Sequence, residues 1–369
     1  MPDWNILSRF QRKGGRPPLP RFPTGLTASW DTAAVPQGYE ANARAALRQN
    51  PVAARAIRLV AEAIGEAPMS ITGGIETLLA APNPRQSRGA FLEALGAHLL
   101  LHGNAYVSAA PGTDGRPAEL HALRPERVSL ELDGAGWPVA YLYRAGTATT
   151  RMTADDVLHI RALGPLDDHL GEGCLAAAAA AIATHNAATT WNRALLANAA
   201  RPSGALVMAG EAPLSAEQFD RLKAEMTAGF EGAANAGRPM LLEGGLRWQA
   251  LSLSPADMDF AGCHQAAARD IALALGVPPM LLGLPGDNTY ANYAEANRAL
   301  WRLTILPMAG RIAGAMTQWL GSWWPEASLA VDLDRVPALA SDREKLWAMV
   351  TAADFLSGDE KRRLLGIDP

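Results

Sequence analysis

An uncharged, alanine-rich run in the middle of the sequence restricts the possible folds of this chain more than any other segment. The run extends from Gly173 to Asn192 and reads GCLAAAAAAIATHNAATTWN. Its length would suffice for a membrane span, but alanine is only weakly apolar, and His185, Asn186 and three threonines interrupt the run. The run therefore predicts a long helix over 174–199, roughly 40 Å in length at a rise of about 1.5 Å per residue.

The segment after this helix, residues 200–253, predicts a small mixed unit. It contains a strand in the string GALVMAG, a helix opened by the capping box of Ser215 and Gln218, and strands on both sides of Gly244 and Gly245. A unit of roughly 50 residues would be only marginally stable as an isolated domain. We therefore expect it to gain burial from copies of itself or from a partner.

A second long helix is predicted over 254–279. A serine-proline pair suits its first positions, Asp257 and Asp259 interact favourably with the dipole in its first turn, and Gly276 ends the pattern before two prolines. Two long helices that bracket a small insert are suited to packing side by side with other helices.

The first half of the chain predicts an α+β unit behind a basic arm. Residues 1–29 are rich in proline and carry five basic side chains, so we expect a flexible arm that is either simply disordered or docks on a partner. Capped amphipathic helices are expected over 50–65 and 87–102. The strings NAYVSAA, AELHAL, VSLEL, VAYLYRA and DVLHIRA then predict a mostly antiparallel sheet over 104–163.

The last third of the chain combines an irregular apolar segment with more helix. Leu281, Leu282 and Leu284 stand among prolines and glycines in PPMLLGLPGDNTYANY, where neither a helix nor a strand is expected. A third long helix is predicted over 291–321 with a kink at Pro307, which lacks a backbone donor. The string SLAVDLD predicts a strand, and two short helices follow.

The charge balance argues against a protein that grips nucleic acid. The formal net charge is −4 and the pI is near 6.0, whereas domains that neutralise phosphates are usually strongly basic. The two cysteines, and a first segment without an apolar core, fit synthesis in a reducing cytosol.

The sequence contains none of the common catalytic signatures. The motifs G-x-x-x-x-G-K-[ST], G-x-S-x-G, H-E-x-x-H and paired C-x-x-C do not occur. Three residue pairs could in principle bind a metal or carry out chemistry, but packing or a solvated surface explains each more simply. These pairs are His98 with His102, Cys263 with His264, and Asp332 with Asp334. We therefore expect no enzyme activity, no metal and no cofactor.

Several strings, in this order and spacing, resemble the portal proteins of tailed phages over nearly the whole chain. The type that fits is the short-chain form of siphophages and gene transfer agents. The strings include NPVAARAIRLVAEAIGEAP, PNPRQSRGAFLEALGAHLLLHGNAYV, WNRALLANAARPSGAL, LLEGGLRWQALSLSPADMDF and ARDIALALGVPPMLLGLPGDNTYANYAEANRALW.

The resemblance implies a ring-forming α+β portal fold, with about twelve copies around a channel at one capsid vertex. The family names for its parts then correspond to the elements predicted above. They are a flexible arm (1–29), the wing (30–173), stem helix 1 (174–199), the clip (200–253), stem helix 2 (254–279), the channel loop (280–290), a second part of the wing (291–334) and the crown (335–369).

The resemblance also implies two sets of functional residues. Those expected to line the channel belong to the channel loop: Leu281, Leu282, Leu284, Pro285, Asp287, Asn288, Thr289 and Tyr290. Those expected on the stem are Trp191, Asn192, Asp257, Asp259, Arg269 and Asp270.

The partners implied by the resemblance are further copies of this chain, the major capsid protein, the terminase large subunit and a head-tail adaptor. Double-stranded DNA would pass through the channel without sequence-specific contacts. The chain would be made in the bacterial cytoplasm and reside in the virion. Two alternatives stay open from the sequence: a membrane-associated oligomeric scaffold, and an enzyme with an unrecognised site in the α+β half.

Overall fold

The computed structural model describes residues 38–197, 204–208, 246–250, 260–286 and 289–366, together with six residues between 215 and 224. The predicted arm and most of the predicted clip lie outside these residues, as does the beginning of the second stem helix. The described chain divides into two units. One contains residues 57–176 and 297–366, and the other contains residues 38–56 and 177–296.

The first unit is built on antiparallel strands. Two three-stranded sheets have the orders β3-β2-β7 and β4-β5-β6, and β1 pairs with β10. The strands are β1 (Met69–Thr72), β2 (Asn104–Pro111), β3 (Pro117–Leu123), β4 (Val128–Leu132), β5 (Pro138–Ala145), β6 (Ala148–Thr153), β7 (Val157–Arg161) and β10 (Ser328–Val331).

An aromatic cluster joins the two three-stranded sheets. Tyr106 on β2 meets Tyr141 on β5 edge to face, with ring centroids 5.7 Å apart. The ring of His159 on β7 stacks on Tyr106 at 4.3 Å, and Leu123 and Val157 complete the buried cluster. Burial, together with nearby Arg161, lowers the pKa of His159 to about 3, so its imidazole is neutral inside this core.

In the first unit, the helices over 51–65 and 88–102 begin where the sequence predicts. The helix over 51–65 has Pro51 at its first position. The helix over 88–102 has Ser87 as its cap, and the hydroxyl of Ser87 accepts from the amide of Ala90. The described helices of the first unit are α2 (Pro51–Gly65), whose first turns belong to the second unit, α3 (Glu76–Ala80), α4 (Arg88–His102), α8 (Leu306–Leu320), α9 (Ala340–Ala352) and α10 (Gly358–Leu365).

The predicted third long helix is interrupted just before Pro307. Helix α7 (Tyr290–Leu300) continues into a π-helical turn over Trp301–Ile305, and α8 then begins. Proline at this point removes one amide donor and its ring would meet the carbonyl group of Leu303, and a π turn widens the backbone enough to accommodate it. The predicted interruption is therefore confirmed.

The second unit is mainly helical. Its helices are α1 (Tyr39–Arg44), which runs into a π turn over Ala45–Gln49, then α5 (Cys174–Ala197), whose first residues belong to the first unit, α6 (Phe260–Ala274) and most of α7. Among the described residues of this unit, the strands β8 (Gly204–Met208) and β9 (Leu246–Ala250) pair antiparallel. The predicted capping box is present, because the amide of Gln218 donates to the Ser215 hydroxyl and the amide of Ser215 donates to Oε1 of Gln218.

The α+β fold class is confirmed, and three details were wrong or incomplete. Residues 104–163 form two sheets instead of one. Strand β6 was not predicted, because the string ATTRMT is mostly exposed and lacks apolar alternation. The last strand ends at Val331, since the side chain of Asp332 accepts from the amide of Asp334 and caps a 3-10 turn, so these two aspartates do not alternate along a strand.

Backbone segments approach very closely where α4 ends. Gly103 closes this helix in the left-handed conformation, with φ of 81°, and its carbonyl accepts from the amide of Ala162 at 2.7 Å. A Cβ atom built on Gly103 would lie 2.3 Å from the carbonyl carbon of Glu172. The side chain of Asn104 reinforces this contact, since its amide nitrogen donates to the carbonyl of Gly171 and its oxygen accepts from the amide of Gly171, both at 2.8 Å.

We predict that Gly103→Ala destabilises the protein far more than Gly115→Ala. Both glycines have positive φ, but a Cβ on Gly115 has nothing within 4 Å. Gly115→Ala is the control, and it should lower the free energy of unfolding by only about 1–2 kcal/mol, the cost of a non-glycine residue in the left-handed conformation. Gly103→Ala should lower the free energy of unfolding by at least about 2 kcal/mol more, because the neighbouring backbone must move to make room for the new Cβ atom. Denaturant unfolding measures both, and equal losses would contradict the close approach.

Candidate functional site

A partly buried polar cluster connects α5 with α6 in the second unit. The imidazole rings of His185 on α5 and His264 on α6 have centroids 3.7 Å apart, with planes inclined by 31°. The hydroxyl of Thr189 donates to the backbone carbonyl of His185 at 2.9 Å and lies 3.2 Å from Nε2 of His264. The side chains of His185 and Thr189 thus both contact His264, and they link α5 to α6, the two helices predicted as the stem.

Asn50 ties the start of α2 to the same cluster. Its side-chain oxygen caps α2 by accepting from the amide of Ala53 at 2.9 Å. Its amide nitrogen lies 3.2 Å from Nδ1 of His185 and donates to Oδ1 of Asn186 at 3.0 Å. Asn50 and His185 are both buried, and burial, together with the nearby His264, lowers the pKa of His185 to about 4.

The apolar segment after α6 has more regular structure than the sequence predicts. Pro279–Leu282 forms a 3-10 helix, closed by Gly283 in the left-handed conformation with φ of 71°. The amide of Leu281 donates to the carbonyl of Pro278. The expectation that neither helix nor strand forms here was therefore wrong: Pro279 sets a φ suited to a tight helical turn, and glycine ends that turn.

Arg269 connects α6 directly to this segment. Its guanidinium nitrogen Nη2 donates to the backbone carbonyl of Pro285 at 2.9 Å. Beyond the segment, the hydroxyl of Thr289 accepts from the amide of Asn292 and caps α7. Arg269 and Thr289, both predicted as functional residues, thus contact the end of the segment and the start of α7.

The predicted site residues fall into three groups. Leu281, Leu282 and Leu284 are half-buried, whereas Pro285 and Thr289 are exposed, and Tyr290 is the first residue of α7. On α5 and α6, Trp191 is half-buried, and Asn192, Arg269 and Asp270 are exposed. Four predicted residues lie outside the described part of the chain: Asp257, Asp259, Asp287 and Asn288.

Sequence reasoning missed the polar cluster of Asn50, His185 and His264. Asn50 was predicted only as a helix cap, and His264 was considered only beside Cys263, as a small packing residue. Cys263 is in fact exposed, while the ring of His264 packs on His185. The available signal was a histidine in the middle of an otherwise small and apolar helix, since a polar ring buried there needs a partner.

The described residues give no sign of a metal centre or a membrane span. No three His, Cys, Asp or Glu side chains within the described ranges are arranged to hold a metal ion. Of the helices that the structure describes, none is both long enough and apolar enough to cross a bilayer.

Comparison with known proteins identifies the family. The sequence matches the family described as "Phage portal protein" over residues 51–366. The chain therefore belongs to the phage portal protein family, as the resemblance predicted. Members of this family are structural proteins, which confirms the prediction that the chain is not an enzyme.

The chain is similar to proteins from a bacterium, from a phage and from a gene transfer agent particle. A protein of Rickettsia felis is 39% identical over 88% of both chains. A probable portal protein of Streptomyces phage phiC31 is 26% identical over 73% of this chain and 62% of its own length. A solved structure described as the neck of a native gene transfer agent particle, computed with C12 symmetry, is 47% identical, with a TM-score of 0.70 over 91% of this chain and 95% of that chain.

We predict that Arg269→Gln loosens the segment after α6. Glutamine is too short to reach the carbonyl of Pro285, so amide hydrogen exchange at residues 281–284 should accelerate several-fold while α6 stays protected. Arg58→Gln, which changes an exposed arginine on α2, is the matched control. Unchanged exchange in Arg269→Gln would show that this hydrogen bond does not hold the segment.

Proposed function

We propose that this chain forms a ring of twelve copies at one vertex of a phage or gene transfer agent head, and that DNA enters and leaves the head through the ring. The observation that carries the proposal is the 47% identity, over 91% of this chain, to a chain in a particle neck computed with C12 symmetry. Identity of this extent supports a common mode of assembly.

The surface of α5 supports close packing between neighbouring copies. Ala177, Ala180 and Ala187 are exposed and follow one another at helical spacing. Small side chains allow helices to approach closely, which a ring built from long helices requires. The proposal assigns α5 and α6 to the stem around the channel.

The net charge supports passage of DNA with few lasting contacts. Each chain has a formal net charge of −4, so twelve copies give the ring a negative field that repels phosphate groups overall. A protein that neutralised phosphates would instead retain DNA and would depend strongly on salt. We therefore propose sliding of the duplex without base readout.

The segment from Pro279 to Pro285 is proposed to touch DNA as it passes. Its leucines are only half-buried within one chain, and Arg269 holds its end through Pro285. Twelve copies would form a collar whose apolar side chains contact the duplex by shape. The 3-10 helix supports this role, because it gives the leucines a fixed backbone.

The remaining partners are proposed from the family. The first unit would contact the major capsid protein, and the region that includes β8 and β9 would dock the terminase large subunit during filling and a head-tail adaptor afterwards. The chain would be made in the bacterial cytoplasm and reside in the virion.

Deletion of the gene in a particle-producing strain tests the proposed function. Without a ring, the terminase has no vertex on which to dock, so nuclease-protected DNA in released particles should fall to background. Supplying the wild-type gene in trans should restore it. Normal DNA-filled heads in the deletion strain would contradict the proposal.

A second prediction concerns the collar. Replacing Leu281, Leu282 and Leu284 together with alanine should reduce nuclease-protected DNA per particle several-fold, because the apolar contact with the duplex is lost. Alanine is preferred to glycine because it preserves the 3-10 helix.

The matched control is the double variant Leu163→Ala and Leu166→Ala, two leucines outside the helices and strands that are 79% and 75% exposed. Native mass spectrometry checks that both variants still form rings. Equal DNA content in the collar variant, the control and the wild type would refute the role of the collar.

A further inference from the structure

The carboxamide of Asn50 makes three hydrogen-bond contacts, which together are compatible with one orientation. Its oxygen accepts from the amide of Ala53, so the nitrogen must face α5. One hydrogen of that nitrogen is directed to Oδ1 of Asn186 and the other to Nδ1 of His185. A flipped carboxamide would set its NH₂ group against the amide of Ala53. The network therefore assigns the acceptor role to Nδ1 of His185.

This assignment fixes the protonation state that the cluster accepts. An acceptor Nδ1 requires a neutral imidazole with its hydrogen on Nε2. A second proton, placed on Nδ1, would point a donor at the donor nitrogen of Asn50. It would also place a positive charge in a buried ring whose centroid is 3.7 Å from that of His264.

We propose that Asn50, His185 and His264 form an acid-sensitive clamp, which holds α5 against α6 and the start of α2 while His185 is neutral and releases them when His185 is protonated. The proposal does not depend on ring formation or on DNA passage, because all of its contacts lie within the second unit.

The groups facing His185 provide no charge that would stabilise an imidazolium. On α6 the titratable group in contact is His264, whose own proton would repel it. On the segment before α2 the contact is the uncharged Asn50, and Arg44 and Arg48 of that segment are exposed cations. On α5 itself, Thr189 and Asn186 are neutral.

The direction of the pH effect follows from these contacts. Burial lowers the pKa of His185 from 6.5 to about 4 in the closed cluster, whereas the opened cluster exposes the ring to water and restores its ordinary pKa. The open state therefore binds more protons between these two values, and the clamp weakens as the pH falls through that window. Above about pH 6.5 the full stabilisation is present.

Amide hydrogen exchange of the purified full-length protein tests the clamp. After correction for the intrinsic exchange rate, residues 182–190 of α5 and 264–272 of α6 should open about 20-fold more often near pH 5 than near pH 7. The amides of β2 and β3 report on unfolding of the first unit, where burial also lowers the pKa of His98 and His159, so their protection should fall with pH as well and reveals how much opening of α5 and α6 comes from global unfolding. A wild-type protein whose α5 and α6 protection is the same at both pH values would overturn the proposal.

The variant Asn50→Asp should reverse the response. Aspartate still caps α2, but its carboxylate accepts a hydrogen bond from protonated Nδ1, so an imidazolium at His185 becomes favourable. Protection of α5 and α6 should then hold or increase on acidification. His121→Gln, which removes an exposed histidine of the first unit, should behave as the wild type does. An Asn50→Asp protein that loses protection as strongly as the wild type would overturn the assignment.

Discussion

The carboxamide of Asn50 is the contact on which the helical unit depends, because it satisfies three neighbours at once inside the protein. It caps α2, fixes the ring of His185 and accommodates Asn186. Buried polar groups are costly when unpaired, so a fully paired one specifies a single arrangement of the segments that it joins. The cluster thus sets the position of α5, and α5 presents the alanines proposed to meet the next copy.

In the sheet unit, the buried side chain of Asn104 also connects distant segments of the chain. Asn104 pairs with Gly171 through both of its polar atoms, and its oxygen also accepts from Nε2 of His159 at 2.9 Å. The chain therefore leaves the sheet and reaches the start of α5 along a path fixed by a buried side chain and by glycines that allow backbone contact. In each unit, a buried asparagine thus contacts a histidine whose pKa is lowered by burial, so that its imidazole is neutral.

Much of the fold could be predicted from the sequence because its signals are local. The caps at Asn50 and Ser87, the capping box at Ser215 and the break before Pro307 all depend on residues a few positions apart. What could not be predicted depends on distant partners. The division of the strands into two sheets depends on pairing between strands far apart in the chain, such as β2 with β7, and β6 lacks an apolar face of its own.

In the candidate site, too, local features could be predicted from the sequence and contacts between distant residues could not. The apolar segment after α6 was located by its leucines, but its 3-10 helix was not predicted, and neither was the hydrogen bond from Arg269 to Pro285, 16 residues away. The contact of Asn50 with His185 spans 135 residues. No local pattern reports such a pairing, although a histidine inside an alanine-rich helix indicates that some partner must exist.

We propose that copies of this chain surround a channel, with α5 and α6 beside it and the leucines of the collar nearest its axis. A cryo-electron microscopy reconstruction of the purified full-length protein measures this arrangement directly. We expect a closed ring in which Leu281, Leu282 and Leu284 form the narrowest part of an open channel. A monomer at every concentration, or a ring with these leucines on its outer rim, would contradict it.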